Sequence, residues 1–221
     1  METRYFVGLD LGQRQDFAAL AVLERVESKG EWDAWQLAYK KDVILRLRHL
    51  ERVALGTPYP EIVQRVRDVV QLGGLYGQYE LAVDATGVGA PVVDLLHQAR
   101  LGCRVRPVVV TGGLRETVDG DWAHVPKRNL MVRLQMLFQE HRLRIARKLQ
   151  YGEELLKEMS AMRVKVTSAG HETYGAWKEG SHDDMVFALA LACWDAEKVW
   201  SPTLGAGYWG ERKAELWEYF I

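Results

Sequence analysis

The chain opens with two hydrophobic periods in succession. Residues 4–11 and 17–26 are runs of β-branched, aromatic and small apolar residues on either side of the polar stretch GQRQD, a pattern that predicts a hairpin. Asp42–Val53 follows, with apolar and charged residues alternating in ILRLRHL, as in a strand exposed on one side. The period then lengthens. Thr57 and Pro58 are helix-start signals, and Ile62, Val63, Val66, Val69 and Val70 recur on one helical face. YELAVD predicts a short buried strand ending at Asp84, with a glycine-bearing turn and a helix from about Pro91 after it, and CRVRPVVVTG predicts a further buried strand. The first half therefore reads β-β-β-α-β-α-β, an α/β order in which antiparallel strands give way to strands joined by helical crossovers.

The second half predicts helices at KRNLMVRLQMLFQEH and YGEELLKEMSAM. A hairpin across RVKVTSAGHETYGAW, turning at Ala169 and Gly170, and a helix at DDMVFALALACWDAEKV complete it. No internal repeat interrupts this order. From residue 200 the composition shifts to Gly, Pro and Trp, so one domain over 1–199 and a C-terminal tail over 200–221 are expected.

With 221 residues and 48% hydrophobic content, the chain is long enough for a substantial core. Lys and Arg number 29 against 30 Asp and Glu, so a polyanionic partner has to be held by a local basic surface. Cys103 and Cys193 sit in apolar contexts without metal-ligand spacing, which predicts packing roles in a reducing compartment. No apolar run approaches the roughly 20 residues of a membrane span, and no signal-peptide pattern opens the chain. A cytoplasmic protein with no membrane partner is expected.

Three carboxylate positions change this picture. Asp10 lies within an apolar strand, Asp84 ends another, and Asp183 and Asp184 open an Ala/Leu-rich helix. Singly, each has a structural explanation, such as a turn cap at Asp84 or a helix N-cap at Asp183. Together, they would repel one another unless a cation neutralised them, and hard oxygen ligands suit Mg²⁺ or Mn²⁺. Two such ions about 4 Å apart can activate water and stabilise the leaving oxygen of a phosphodiester. Successive helical residues point about 100° apart, so Asp183 and Asp184 cannot both face one metal. Asp184 shares its face with Ala188 and Leu191, whereas Asp183 lies over Phe187 and Ala190. Asp184 is therefore the expected direct ligand, with Asp183 capping the helix or holding a metal-bound water.

The stretches VGLDLGQRQDFAALAVLE, LAVDATGVGAPVVDLL and GSHDDMVFALALA closely resemble, in order and spacing, the three acidic motifs of the nuclease domain of phage terminase large subunits. HVPKRNLMVRLQMLFQEHRLRI and the hairpin before the acidic helix resemble that family too, so the likeness spans about residues 4–198. It implies an RNase H-like α/β fold: a mixed central sheet of about five strands flanked by helices, with an added hairpin before the last helix. It also implies a metal-dependent endonuclease cutting double-stranded DNA, with Asp10, Asp84 and one or both of Asp183 and Asp184, Asp184 being the first choice, as ligands of Mg²⁺ or Mn²⁺, two ions in all, and both members of the pair in the catalytic set. Many relatives carry another acidic residue one turn into the last helix, where this chain has Phe187. No G-x-x-x-x-G-K-[ST] occurs, so the chain is expected to be either an excised nuclease domain or a free-standing relative of the family, with an ATPase or portal-type protein as a separate partner.

Lys127, Arg128, Arg163, Lys165 and His182 are the candidate DNA-binding residues, with His171 and Tyr174 on the same hairpin. The cations of RLRIARK, beginning at Arg142, read better as a solvated face. DATGVG, from Asp84 to Gly89, reads equally as a phosphate-approach loop or a plain strand-to-helix turn. Three rival readings stand beside the terminase-like one. They are a Holliday-junction resolvase, an actin-like nucleotide-binding protein suggested by GLDLGQ, and a catalytically silent DNA-binding module. The actin-like fold needs two lobes, for which 221 residues leave no room.

Overall fold

The computed structural model describes residues 2–198 apart from 13–15, 36, 76, 88, 167–171 and 177–181, and gives only the backbone of 89, 163–166 and 172–176. The expected tail and the turn at Ala169 and Gly170 lie outside the described residues.

Strands β1 (Glu2–Asp10), β2 (Ala18–Asp33) and β3 (Ala38–Val53) form an antiparallel meander. Helix α1 (Tyr59–Leu72) then crosses to β4 (Tyr79–Asp84), which lies parallel to β1, and α2 (Gly89–Gln98) crosses to β5 (Arg104–Thr111), parallel to β4. These five strands are contiguous in the order β5-β4-β1-β2-β3, the RNase H-like arrangement expected from the element order. The sheet is wider than five strands. Two short strands, β6 (Thr117–Asp119) and β7 (Trp122–Pro126), extend it beyond β5, and β8 (Leu143–Ile145) pairs in parallel with β3, giving eight. Helix α3 (Lys127–Gln139) links β7 to β8; α4 (Gly152–Ala161), the hairpin β9 (Met162–Val166) and β10 (Glu172–Ala176), and α5 (Asp184–Glu197) complete the described chain.

Side-chain alternation along each strand divides the interior into two layers. Val7 and Leu9 face the layer containing α1 and α2, with Ile62, Val66, Val70, Val92 and Leu96. Phe6 faces the opposite layer with residues of α3 and α5, and Gly8 meets α5 on that side. Continuing the alternation places Asp10 on the α5 side. Every residue of α5 from Asp184 to Ala196 is buried, which explains why its sequence is apolar all round and carries no amphipathic stripe.

The buried ion pair that ties α5 to the sheet lies in this layer. Arg106 on β5 is fully buried and donates from Nε to Asp195 Oδ1 at 2.8 Å, while a second nitrogen lies 3.3 Å from Glu80 Oε2 on β4. Arg106→Met would leave Asp195 buried without its cation and is expected to cost about 3–5 kcal/mol, whereas Arg106→Met with Asp195→Leu should recover most of that loss. Urea denaturation of the single and double variants checks this; equal stability of the single variant and the wild type would contradict it.

β2 and β3 run on beyond the last β1 partner, Glu27, as a two-stranded ribbon that reaches Asp33 and Ala38. Trp32 stacks edge-on against Tyr39 across the ribbon, with ring centroids 5.0 Å apart, and Trp35 at its tip is exposed. Because Asp10 pairs with Ala19 near the start of β2, the ribbon projects from the end of the sheet opposite Asp10. Among the described residues, no helix is long and apolar enough to cross a membrane. Both cysteines are free; Cys193 is fully buried, and burial raises its thiol pKa, as expected of a packing residue.

Candidate metal centre

Asp10 and Asp84 end adjacent parallel strands. The last paired residues before them are Leu9 and Val83, so the two carboxylates stand side by side at one end of the sheet, and both keep partial exposure. Across β2, Ala19 pairs with both Asp10 and Arg52, which puts the Arg52 side chain in the same row and on the same face.

Helix α5 brings the third carboxylate. At Gly8 the helix and strand backbones meet directly, since a Cβ built there would lie 1.9 Å from Ala188 O and 2.8 Å from Ala192 N. Asp184, one turn before Ala188 on the same helical face, is thereby carried to the row, where it is 5% exposed. Its Oδ2 is buried and has no hydrogen-bond partner. Arg52 Nε lies 3.7 Å and His182 Nδ1 3.8 Å from that oxygen, contacts too long for hydrogen bonds. His182 also packs edge-on against Phe17, with ring centroids 5.0 Å apart.

Asp183 occupies the N-cap position, but its side chain makes no capping hydrogen bond, in contrast to the capping role expected of it. Its Oδ2 accepts instead from Lys127 Nζ at 3.2 Å. Lys127 opens α3, where a cation at a helix N-terminus is unfavourable, and Asp183 offsets that charge. The capping is done from α4. Glu158, buried, accepts from the backbone N–H groups of Met185 and Val186 at 3.2 Å each, and also bonds the guanidinium of Arg52. Neither Glu158 nor Arg52 stood out in the sequence. An acidic residue in an otherwise ordinary amphipathic helix carries no local mark of a partner more than twenty residues away.

Burial is the first cause raising the Asp10 carboxyl well above its ordinary range, with the charges of Asp84, Asp184 and Asp183 adding to it and Lys127 opposing. Asp84 is raised by burial against the hydrogen bonds of Thr86 and the charge of Lys127. Burial pushes Asp184 up to about 6, with Arg52 and His182 opposing, and Glu158 up to about 7, with Arg52 and the two helix N–H groups opposing. These groups hold protons in the folded state at pH values where the unfolded chain has released them. Stability without divalent ions should therefore fall as pH rises from about 4.5 to about 7. Glu51 and Glu27, lowered to about 2, have the opposite sign, and their contribution is lost as pH falls below about 4.5. A series of melting curves in chelator should thus peak near pH 4.5–5; a Tm rising steadily to pH 7 would contradict the carboxylate arrangement.

The remaining candidates separate. Phe187, at the position of the absent fourth acid, lies under the Lys127 ammonium at 5.0 Å. Arg128 lines a groove of about 400 Å³ along α3 with Glu116, Asn129, Arg133 and Glu197. Arg163 and Lys165 sit on β9, paired through the backbone with Gly175 and Thr173; their side chains, and those of His171 and Tyr174, lie outside the described residues. Arg142 is neither a solvated cation nor near the carboxylates, because it forms a two-pronged ion pair with Glu197 at 2.6 and 3.1 Å. DATGVG is a strand-to-helix turn stitched to β5. Thr86 N–H donates to Asp84 Oδ1 at 2.8 Å, and its hydroxyl accepts from Val110 N–H at 2.7 Å.

Among the described residues, no three His, Cys, Asp or Glu side chains are already gathered tightly enough to hold a metal ion. The donor set nevertheless fits a hard divalent cation: two partly exposed carboxylates abreast, and a third, buried, with one oxygen lacking any donor.

No family model and no curated protein matches the chain. Solved structures do. The large terminase nuclease from thermophilic phage G20c with bound magnesium is 23% identical, with a TM-score of 0.56 over 87% of this chain and 81% of that one. The nuclease domain of the large terminase subunit of bacterial virus Sf6, in a mutant form with manganese, gives 0.57 at 12% identity over 86% and 88%. The human cytomegalovirus terminase nuclease domain, soaked with manganese, gives 0.51 at 12% identity over 87% and 83%. The chain has the RNase H-like fold of terminase large-subunit nuclease domains.

Proposed function

We propose that this chain is a divalent-metal-dependent endodeoxyribonuclease of the viral DNA-packaging type, with Asp10, Asp84 and Asp184 holding Mg²⁺ or Mn²⁺, two ions in all. The observation that carries the reading is the buried, donorless Oδ2 of Asp184 at the row formed by Asp10 and Asp84. Arg52 at 3.7 Å and His182 at 3.8 Å both stand beyond hydrogen-bond distance, so the chain's own donors leave this buried oxygen unbonded, which is costly and which a divalent ion would offset. The magnesium and manganese in the structures of similar fold support the use of a divalent ion.

When bound, divalent ions supply a hydroxide-like nucleophile at neutral pH and stabilise the leaving oxygen of the phosphodiester. The chain's own residues do the rest. Asp10 and Asp84, partly exposed at the strand ends, leave one side of the site open to a DNA backbone. Lys127, held by Asp183 at 3.2 Å, sets a positive charge beside the acidic row where a phosphate would lie. Glu158 fixes the start of α5 and so the position of Asp184. Residues 1–199 constitute the nuclease domain, double-stranded DNA is the substrate, and a separate ATPase or portal-type protein is the partner that would couple cutting to packaging.

Incubation with supercoiled plasmid tests this reading. Nicked and linear products are expected with Mn²⁺ or Mg²⁺ and none with chelator, while cleavage that persists in chelator would overturn it.

A further inference from the structure

Arg52 is the cation nearest to Asp184 in a network built from four elements. Its guanidinium is bonded to Glu158 of α4 and lies 5.0 Å from the centre of the Phe17 ring, so it is held from two sides. Glu158 is itself fixed by the N–H groups of Met185 and Val186 at the start of α5. Seated in this way, Arg52 Nε stands 3.7 Å from Asp184 Oδ2, and neither atom has a hydrogen-bond partner. A short movement of either side chain would join them. His182 Nδ1 lies 3.8 Å from the same oxygen.

A fixed positive charge beside a ligand carboxylate favours the metal-free state and opposes a divalent ion that needs the same oxygen. We propose that Arg52, seated on Glu158, is an internal counter-cation that competes with the divalent ion for Asp184 and so sets the metal concentration at which the site fills. The inference rests on the metal-site reading above and adds a control element to it. Arg52 is a positioning residue, acting through Asp184 and not on the substrate. Glu158 restrains it: bonded to the carboxylate, the guanidinium stands with Nε 3.7 Å from Asp184 Oδ2, short of a hydrogen bond.

Calorimetric titration of the full chain with Mn²⁺ tests the competition without reference to cleavage. Arg52→Gln is expected to bind Mn²⁺ on the order of tenfold more tightly than the wild type. Arg52→Lys, which keeps the charge, should remain close to wild type. Glu158→Gln should bind more weakly, because Arg52 is then released to close on Asp184. Unchanged or weaker binding by Arg52→Gln, in protein with a native near-ultraviolet circular dichroism spectrum, overturns the inference. If Arg52→Gln does not fold, Arg52→Met, which keeps the aliphatic stem over Phe17, carries the same expectation, and tighter binding by Glu158→Gln would contradict it independently. Failure of the metal-site reading itself looks different: the wild type would bind no Mn²⁺, or Asp10→Asn would bind it as well as the wild type.

Discussion

Asp10→Asn is expected to lower plasmid cleavage about a thousandfold or more while raising the Tm measured in chelator. The amide keeps the size of the carboxylate and removes one negative charge from the row, so the metal loses a ligand charge and several kcal/mol of transition-state stabilisation go with it. The rise in Tm follows from the same feature. Asp10 is raised by burial and by the charges of Asp84, Asp184 and Asp183, and a neutral side chain removes both penalties in the folded state. Asp184→Asn should abolish cleavage in the same way. Asp183→Asn should reduce it less, since Asp183 is partly exposed and engaged with Lys127. It should also cost little stability, because Glu158 performs the capping. Full activity in Asp10→Asn would remove the metal-site account, and an inactive Asp183→Asn beside an active Asp184→Asn would reverse the assignment within the pair.

Gly8→Ala is the second large effect, and it acts on the fold. Ordinarily a glycine inside a strand is a weakness that alanine relieves. Here the added Cβ would sit 1.9 Å from Ala188 O, 2.8 Å from Ala192 N and 3.0 Å from Ala188 C, all backbone atoms of α5 that no rotamer change can move. The helix must shift as a body, and with it Asp184. A destabilisation of about 3 kcal/mol or more is expected, equivalent to roughly 10 °C in Tm for a domain of this size, together with reduced cleavage. Gly112, where an added Cβ meets nothing within 4 Å, is the control: Gly112→Ala should melt within about 2 °C of wild type. Near-equal melting of the two variants would show that the helix and strand do not meet as described.

How much of this was legible in the sequence depended on whether the signal was local. Alternation along YFVGLD suffices to place Asp10 on the opposite face from Leu9, and the crossover pattern brings the strand ending in Asp84 beside it, so the row of carboxylates follows from period and order. The small Ala188, on the face of α5 that carries Asp184, is the side of the close approach that the sequence offers, and Gly8 completes it. Pairings between distant elements left no such trace. Arg106 meets Asp195 across 89 positions and Arg52 meets Glu158 across 106. A charged residue facing inward from an apolar strand, as Arg106 does in RVRPVVV, was the available hint of a buried partner. The ribbon of β2 and β3 was hidden for another reason. Among the described residues it pairs with no third strand beyond Glu27, so its residues need no apolar face and carry no periodic signature. β6, β7 and β8 were too short, at three to five residues, to show a period against their surroundings.

The central claim is that Asp10, Asp84 and Asp184 close around a divalent ion, and the most direct test is an anomalous difference map from crystals of the full chain soaked in Mn²⁺. The account predicts a peak coordinated by Asp10, Asp84 and Asp184, with the Asp184 carboxylate turned toward the strand ends and away from Arg52. A Mn²⁺ peak that excludes Asp10 and Asp84, or an empty row with Asp184 still facing Arg52 at saturating Mn²⁺, would contradict it.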